Sequence, residues 1–269
     1  MGILQNVLNA FNYIEKKLQK MVFKYFNTEL YCPVCDSVPN KFNALPAFYN
    51  ENSIKYKYKY FGTGEMTALD TYSCDNCGAS DRERIYAHHI RHNFIGNEVF
   101  NFYHFAPEAG LKGLIKNFFS NINYKTFDLL LSDVDIYADL TNLNMIQDNE
   151  CDFFICSHVL EHIEDDRKAM GELYRITKPG GTGILMAPIS LAINRSIEHI
   201  PGVETDDDRW ENYGQNDHLR LYAKADFIER IIESGFTLYQ YDIKYFGKTT
   251  FKRLGLKPTS VLYIVKKEQ

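Results

Sequence analysis

Residues 151–190 read CDFFICSHVLEHIEDDRKAMGELYRITKPGGTGILMAPIS, and in this stretch two short apolar runs enclose a helical pattern. The runs at 153–156 and 184–187 have the length of strands that are buried on both faces. Between them, apolar residues recur at helical spacing over 169–176, before Lys-Pro-Gly-Gly at 178–181 ends the helix. Two buried strands joined by a helix predict a right-handed crossover in a parallel sheet.

The chain from residue 98 onward also alternates between strand and helix patterns, which predicts an α/β fold with a Rossmann-like sheet. The last two strands are expected to close the sheet as an antiparallel pair. Ligands of such sheets bind beyond the carboxyl ends of the strands, which is where Ser-His-Val-Leu-Glu-His at 157–162 must lie. The further predicted strands are 99–105, 124–129, 135–139, 236–243 and 260–265, and the further predicted helices are 111–119 and 227–234.

Composition excludes several classes of protein. The chain has 269 residues, of which 45% are apolar, enough for a large domain with a small appendage. No apolar run approaches the roughly 18 residues of a membrane span, and we expect a cytoplasmic protein without one. Residues 1–97 hold 11 basic and 9 acidic side chains, a net charge of +2, whereas the remainder holds 19 basic and 26 acidic side chains, a net charge of −7. This balance argues against a dedicated nucleic-acid binder.

The chain contains two Cys-x-x-Cys pairs separated by 38 residues. A tight turn places both thiolates of such a pair on one side of the backbone, so two pairs can complete the tetrahedral ligand set of zinc. Two disulfides are the alternative, and they are rare in cytosolic proteins. The two other cysteines, Cys151 and Cys156, are predicted core residues. The predicted zinc ligands are Cys32, Cys35, Cys74 and Cys77.

The segment before the sheet divides into an amphipathic helix and a cysteine-containing module. Residues 3–25 place apolar side chains along one stripe, which predicts a helix that packs on the body, mediates a homodimer or lies on a membrane surface. Lys and Tyr alternate at 55–60, which predicts a strand with one face in water. A connecting helix is predicted at 81–92. The predicted domain boundaries are 1–29 for the amphipathic helix, 30–97 for the zinc-ribbon module with its connecting helix, and 98–269 for the sheet.

The sequence between 152 and 188, with His-Val-Leu-Glu-His after one strand and Arg-x-x-Lys-Pro-Gly-Gly before the next, carries a resemblance. It is similar to the S-adenosylmethionine-dependent methyltransferases of the class I fold, in the type 11 group. The resemblance covers roughly residues 98–269 and implies a seven-stranded sheet. A subgroup with a zinc ribbon ahead of this fold is similar in its first loop, and its usual setting is cell-surface polysaccharide biosynthesis.

The resemblance also implies where the methyl donor binds. The family's first loop is an acidic residue followed by Gly-x-Gly-x-Gly, whereas residues 104–110 read HFAPEAG and keep only the last glycine. Asp128 matches the carboxylate that accepts hydrogen bonds from both ribose hydroxyls, and Asp139 matches the acceptor of the adenine amino group. A turn or capping role is the alternative for either aspartate. The implied cofactor-binding residues are His104, Ala106, Glu108, Gly110, Asp128, Asp139, Ser157 and His158.

Residues 191–222 form a long polar connection that we interpret as a lid, since connections of this length are usually lids or binding loops. Its end, 214–222, reads GQNDHLRLY and resembles the GQxDHxRxY signature of the subgroup. The signature implies groups beside the acceptor, although a capped loop before the next helix is the alternative. We assign His218 as the general base and His158 as a positioning group, with a rate that rises through a pKa near 6 to 7. The implied catalytic residues are His218, His158, Asp217, Arg220 and Tyr222.

Glu161 and His162 lie one helical turn after His158. The sequence His-x-x-Glu-His at 158–162 matches a zinc-peptidase pattern in reverse order, but its place inside a parallel crossover argues against a peptidase. Some methyltransferases hold a divalent metal with Glu and His at this position to orient the acceptor hydroxyl. Hydrogen bonds that brace the loop are the alternative role for the same two residues.

The sequence therefore predicts a methyltransferase that moves a methyl group from S-adenosylmethionine to oxygen on a small polar acceptor. The resemblance implies a sugar or sugar-linked group that serves as a glycan precursor. Two alternatives stay open at this point. One is a zinc-finger RNA base methyltransferase, which would need a basic groove. The other is a non-catalytic zinc-binding scaffold built on a methyltransferase fold.

Overall fold

The computed structural model describes residues 29–94, 100–119, 121–202 and 204–269. The predicted amphipathic helix at 3–25, with the homodimer contact assigned to it, lies outside these residues. Among the helices described, none is long and apolar enough to cross a membrane.

Within the described residues, seven strands form one mixed sheet, which confirms the predicted fold class. The organising crossover is present, because β6 (Cys151–Ser157) and β7 (Thr177–Met186) pair in parallel and α4 (Asp166–Ile176) connects them. From one edge to the other the strands are β11 (Thr237–Tyr241), β12 (Leu262–Lys266), β7, β6, β3 (Phe100–Phe105), β4 (Ile122–Asp128) and β5 (Ile136–Tyr137).

The last two strands close one edge of the sheet as predicted. β12 pairs antiparallel with β7 on one side and with β11 on the other. The other paired neighbours in this sheet run parallel, so the carboxyl ends of β3, β4 and β6 lie at the same edge. The flanking helices are α3 (Ala109–Phe118), α6 (Lys224–Glu233), α7 (Ile243–Phe246) and α8 (Lys248–Arg253).

Apolar side chains from both faces of the sheet fill the core. Phe102 and Phe153 are buried on neighbouring strands, and their rings meet edge to face with centroids 4.9 Å apart. On α4 the helical stripe runs from Ala169 to Ile176 and is fully buried. The near-continuous apolar runs in the sequence are explained by this burial on both sides.

The cysteine-containing module holds a two-stranded ribbon and a short helix. β1 (Phe42–Asn43) pairs antiparallel with β2 (Ser73–Cys74), and α1 (Ala47–Lys55) follows β1. The strand predicted at 55–60 is therefore wrong. Pro46 precedes the first turn of α1, where its fixed φ favours helix, and Lys57 then reverses the chain with a φ of 59°. The alternation of Lys and Tyr is typical of a strand, but it gives no information on whether a partner strand is present.

Helix α2 (Asp81–Asn93) is the predicted connecting helix, and it begins with a capping box. Ser80 and Glu83 exchange hydrogen bonds, since the Glu83 carboxylate accepts from the Ser80 amide at 2.8 Å. The fully buried Arg84 donates to the carbonyl of Leu254 at 2.7 Å and to that of Ala79 at 2.9 Å. Helix α2 is thereby fixed to the module and to the end of the chain.

The module and the sheet share one hydrophobic core, which extends from Tyr31 to Val265. The domain boundaries predicted from the sequence stay predictions, but no gap in packing separates these two parts of the described structure. Hydrogen bonds of Glu65 also connect the module to the sheet domain. This buried module residue accepts from Lys224 at 2.7 Å and from Tyr263 at 2.8 Å.

The predicted lid is ordered by a small sheet of its own. β10 (Arg220–Ala223) pairs in parallel with β8 (Ile189–Ser190) and antiparallel with β9 (Ile197–Glu198). Helix α5 (Asp206–Tyr213) lies between β9 and β10, with a capping box at Thr205. The lid therefore starts directly beyond the carboxyl end of β7 and returns to the sheet before α6.

Candidate active site

A pocket of about 180 Å³ lies at the carboxyl ends of β6 and β7, where the sequence predicts that ligands bind. The floor is formed by His158 after β6 and by residues 186–190 after β7. His218 lines the same pocket from the lid. The structure thus brings together the two histidines that sequence analysis assigned to the acceptor.

The third wall of the pocket comes from the cysteine-containing module. Tyr49, Tyr58, Tyr60 and Tyr72 line it, together with Arg82 from the first turn of α2. The module therefore contributes to the pocket, although none of its four paired cysteines lines it. The interleaved tyrosines at 55–60 were the available signal, but without a fold nothing in the sequence placed them opposite the sheet.

His158 occupies a strained backbone position. Its φ is 56°, a left-handed conformation that is uncommon for residues other than glycine and that clusters at functional sites. The backbone amide is fixed by a 2.9 Å hydrogen bond to the Met186 carbonyl. Burial lowers the pKa of His158 well below its usual value, so the imidazole is neutral at pH 7.

Glu161 lies between the histidines and is fully buried. Its Oε1 is 3.4 Å from His158 Nδ1 and 3.8 Å from His162 Nε2. In the described part of the chain neither carboxylate oxygen has a hydrogen-bond partner within normal geometry. Burial raises the pKa of Glu161 to about 7. Such a carboxylate has unused capacity to bind a cation or an acidic proton.

His218 is buried in the lid. Its Nδ1 is buried and has no hydrogen-bond partner among the described residues. Burial, followed by the charge of His162, lowers the pKa of His218 to about 4. The imidazole is therefore neutral across the physiological range, and the inflection near 6 to 7 expected from the sequence does not fit this residue.

Glu161, His162 and His218 could hold a metal ion, since their ligand atoms lie within 4.8 Å of one another. The His162 ring is partly exposed and stands edge-on to the His218 ring, with centroids 4.8 Å apart. The sequence predicted the first two of these residues as a divalent-metal site. His218 joins them only in the folded chain, because 56 positions separate it from His162.

Arg220 and Tyr222 of the lid signature do not line the pocket. Arg220 is buried and donates to the carbonyls of Leu160 and Glu164, each at 2.7 Å. Tyr222 is fully buried and donates to Asp166. Neither residue lines the pocket, so their assignment beside the acceptor is corrected: they brace the loop after β6 against the lid.

Asp217 also lies outside the pocket. Its side chain is 60% exposed, and its Oδ2 is 3.5 Å from His162 Nδ1. The same His162 nitrogen lies 3.1 Å from the Asp217 carbonyl oxygen. Asp217 therefore orients His162 and does not place the acceptor as the sequence predicted.

The loop at 104–110, which the resemblance places at the methyl donor, lacks two of the family's glycines but keeps a left-handed backbone conformation. Ala106 has a φ of 49°, the left-handed region that glycine favours at this position of the family pattern. His104 is buried and bridges Tyr124 at 2.9 Å and Glu108 at 3.0 Å. Burial opposes ionisation of Glu108, but the hydrogen bond and charge of His104 outweigh it and lower the pKa.

Gly110 begins the first turn of α3 against the module. A side chain there would place its Cβ 3.1 Å from Glu83 Oε1 and 3.1 Å from Val34 Cγ1. Close helix packing therefore favours a glycine at this position. Ser157 lies at the end of β6, where its hydroxyl is 3.1 Å from the Tyr86 hydroxyl, and it does not line the pocket.

Asp128 and Asp139 stand at the strand ends where the resemblance places donor contacts. Asp128 ends β4, and its Oδ1 accepts from the amides of Leu130 at 2.6 Å and Leu131 at 2.8 Å. Asp139 follows β5 and accepts from the Thr141 amide at 2.8 Å. These local hydrogen bonds fit the alternative role of both aspartates, which is to cap a turn. In each aspartate they use one of the two carboxylate oxygens. Donor binding by the two aspartates stays a prediction.

The four paired cysteines come together in the module. The Sγ atoms of Cys32 and Cys77 are 3.7 Å apart, those of Cys35 and Cys74 are 4.0 Å apart, and all four lie within 4.8 Å of one another. Sulfur ligands about 2.3 Å from a tetrahedral zinc are about 3.8 Å from each other. The geometry fits a zinc site and brings together the pairs that the sequence predicted.

An aromatic stack joins the lid to the module. Trp210 of α5 lies on Tyr56 with ring centroids 5.2 Å apart and planes at 8°, and Phe48 meets the indole edge to face. The lid thus rests on the module and not only on the sheet.

Residues 120–185 match the family model described as a methyltransferase domain. Over this part of the chain the sequence is therefore similar to a methyltransferase domain. The match includes the whole of β4, β5 and β6 with the crossover helix, which is the stretch where the sequence resemblance is most specific. Among proteins of curated function, none matches the chain significantly.

Several solved structures are similar to this chain at low identity. The [4+2]-cyclase SpnF is 14% identical over 86% of this chain and 100% of its own, with a TM-score of 0.46. A SAM-dependent methyltransferase from Archaeoglobus fulgidus is 12% identical over 70% of this chain and 95% of its own, with a TM-score of 0.44.

The CurJ carbon methyltransferase is 11% identical over 70% of this chain, with a TM-score of 0.44, and the alignment spans 53% of the CurJ chain. This chain thus spans about half the length of that structure. The methyltransferase assignment rests on the family match and on none of these likenesses.

Replacing Arg220 tests its corrected role. Arg220→Met should lower the free energy of unfolding by about 3 to 5 kcal/mol, because it leaves the carbonyls of Leu160 and Glu164 without their charged donor. The matched control is Arg167→Met, which removes a half-exposed ion pair with Glu233 and should cost less than about 1 kcal/mol. Urea denaturation followed by circular dichroism measures both. Unchanged stability of Arg220→Met would contradict the bracing role.

Proposed function

We propose that the protein transfers a methyl group from S-adenosylmethionine to oxygen on a small polar acceptor, a sugar or sugar-linked group that serves as a glycan precursor. The main support for this proposal is the neutral imidazole of His218, whose Nδ1 has no hydrogen-bond partner among the described residues, in a pocket lined by tyrosines. The match of residues 120–185 to a methyltransferase domain supports the transfer class.

The residues present fit the donor. The loop from His104 to Gly110 keeps the left-handed backbone at Ala106, and Asp128 and Asp139 stand at consecutive strand ends along the same sheet edge. When bound, S-adenosylmethionine supplies a methyl group on a sulfonium that an oxygen nucleophile can displace. The role of the protein is mainly to align the acceptor with that methyl group.

A hydroxyl acceptor must also lose its proton as the carbon–oxygen bond forms. His218 Nδ1 is suited to take it, since the ring is neutral and this nitrogen has no hydrogen-bond partner among the described residues. His158 enters the pocket from the sheet side and serves as the positioning group. The nearby Glu161, when ionised, stabilises positive charge on either imidazole.

The walls of the pocket support a small ring-shaped acceptor. Tyr49, Tyr58, Tyr60 and Tyr72 offer both flat apolar faces and hydroxyl groups, which suits a sugar ring with an apolar face and polar edges. Against an RNA acceptor stands the net charge of −7 on the part of the chain after residue 97. The cytoplasmic location and the homodimer predicted from the sequence remain part of this proposal.

Labelling identifies the acceptor. We expect methyl-labelled donor, incubated with the protein and separate pools of nucleotide sugars, polysaccharide and RNA, to transfer label to oxygen in a sugar-containing pool. Label in RNA would replace the proposal with the base-methyltransferase alternative. Absence of transfer, together with no heat of donor binding in calorimetry, would favour the non-catalytic scaffold.

Replacing His218 tests the base. His218→Ala should lower kcat by about 10²- to 10⁴-fold, the usual range for loss of a general base, with little change in affinity for S-adenosylhomocysteine. Because the imidazole is neutral above its lowered pKa of about 4, its titration should not change the rate between pH 6 and 8. The control is His199→Ala, a lid histidine that does not line the pocket. Loss of turnover in His158→Ala, with full turnover in His218→Ala, would move the base to His158.

We further propose that Cys32, Cys35, Cys74 and Cys77 bind structural zinc. The purified protein should hold about one zinc per chain by metal analysis, and Cys74→Ser should lose it. Structural zinc contributes folding free energy on the order of 10 kcal/mol in small modules, so the variant should unfold at the module. Because the module walls the pocket, acceptor binding should weaken as well. Cys151→Ala, in the core away from the cluster, should retain the metal.

A metal-assisted variant of the same reaction is favoured by one observation, the convergence of Glu161, His162 and His218. A divalent ion there would orient the acceptor hydroxyl and lower its pKa. This variant predicts a rate that falls on mild chelation and returns with added Mg²⁺ or Mn²⁺ while the cysteine-bound zinc is retained. A rate unaffected by chelation would leave His218 as the base.

A further inference from the structure

Arg82 and Glu108 form an incompletely bonded ion pair beside the pocket. Arg82 Nε is 3.8 Å from Glu108 Oε1, which is too long for a hydrogen bond. Both atoms are buried, and neither has a hydrogen-bond partner in the part of the chain that the structure describes. Buried polar atoms are normally bonded, so a ligand group that enters between the two partly exposed side chains would complete the hydrogen bonds of both.

The other two arginines of α2 donate hydrogen bonds from Nε to backbone carbonyls. Arg84 donates to several backbone carbonyls, including those of Tyr72 and Leu254. Arg91 donates from Nε to the Pro33 carbonyl at 2.6 Å. The open hydrogen-bonding capacity of Arg82 is therefore not a general property of this helix.

The position of the pair points to the donor. Glu108 precedes α3 in the loop that the family resemblance places at the methyl donor, and His104 holds its Oε2 at 3.0 Å, which leaves Oε1 directed at Arg82. Arg82 lines the pocket together with His158. A group bound by both side chains would therefore reach from the donor loop to the edge of the acceptor pocket.

We propose that Arg82 and Glu108 bind the α-amino-acid end of S-adenosylmethionine. This inference rests on the proposed function and adds to it Arg82, a residue that the family pattern does not supply. The α-carboxylate pairs with the Arg82 guanidinium, and the α-ammonium pairs with Glu108 Oε1, so that the zwitterion satisfies both orphaned atoms. Ala106 and Glu108 replace two glycines of the family pattern. In this proposal the side chains of Arg82 and Glu108 therefore make contacts with the methyl donor that the glycine backbone makes in the family pattern.

The inference makes the N-terminal part of the chain a component of the donor site. Arg82 lies in the first turn of α2, just after the second cysteine pair, and Asp81 fixes its backbone amide at 2.9 Å. Donor affinity should therefore depend on a residue outside the segment that matches the methyltransferase domain.

Calorimetry with two ligands tests the inference. S-adenosylhomocysteine carries the amino-acid end, whereas 5′-methylthioadenosine shares the adenosine and sulfur but lacks it. Arg82→Met should weaken S-adenosylhomocysteine by about 10- to 100-fold, the scale of hydrogen bonds to a charged group, and leave methylthioadenosine unchanged. Arg82→Lys should restore part of the loss, and Glu108→Gln should repeat the selective loss.

Three results would overturn the inference. If Arg82→Met and Arg82→Lys both lowered the affinity for the two ligands to the same extent, Arg82 would have a structural role. Unchanged affinity for both ligands, with a raised KM for the acceptor, would assign the guanidinium to an anionic acceptor. If the unaltered protein bound neither ligand, the proposed function itself would fail, and the inference with it.

Discussion

The guanidinium of Arg84 joins parts of the chain that lie far apart in sequence, and the arrangement of the pocket depends on it. It is fully buried and donates to the carbonyls of Thr71, Tyr72 and Ala79 in the cysteine-containing module and to that of Leu254 near the end of the chain. A buried charge is costly unless it is hydrogen-bonded, and here carbonyl dipoles replace water around it. Helix α2 is therefore held in one orientation, which sets Arg82 at the pocket.

The consequence is a site assembled from three parts. The sheet supplies His158, the lid supplies His218, and the module supplies a wall of tyrosines with Arg82. The stack of Trp210 on Tyr56 joins lid to module, so the lid can rest in place without an acceptor bound. On this account the cysteine cluster acts on catalysis indirectly, because it shapes the wall against which the acceptor is aligned.

Sequence reasoning recovered the sheet because strands buried on both faces leave near-continuous apolar runs, as at 153–156. It recovered the cysteine cluster because ligand spacing is a local signal. It misplaced Arg220 because a buried arginine that braces carbonyls and one that binds an acceptor look alike within a motif. The Arg82–Glu108 pair was missed because its members lie 26 positions apart, on separate elements, and meet only when α2 packs beside α3.

The central claim is that the module and the sheet form one unit around the pocket. Denaturant unfolding followed by three probes tests it most directly: release of zinc from the cysteine cluster, fluorescence of Trp210, which is the only tryptophan in the chain, and circular dichroism of the sheet. The account predicts coincident transitions, because one core and Arg84 connect all three regions. Loss of zinc in an earlier transition, with the sheet still folded and S-adenosylhomocysteine still bound at unchanged affinity, would contradict it.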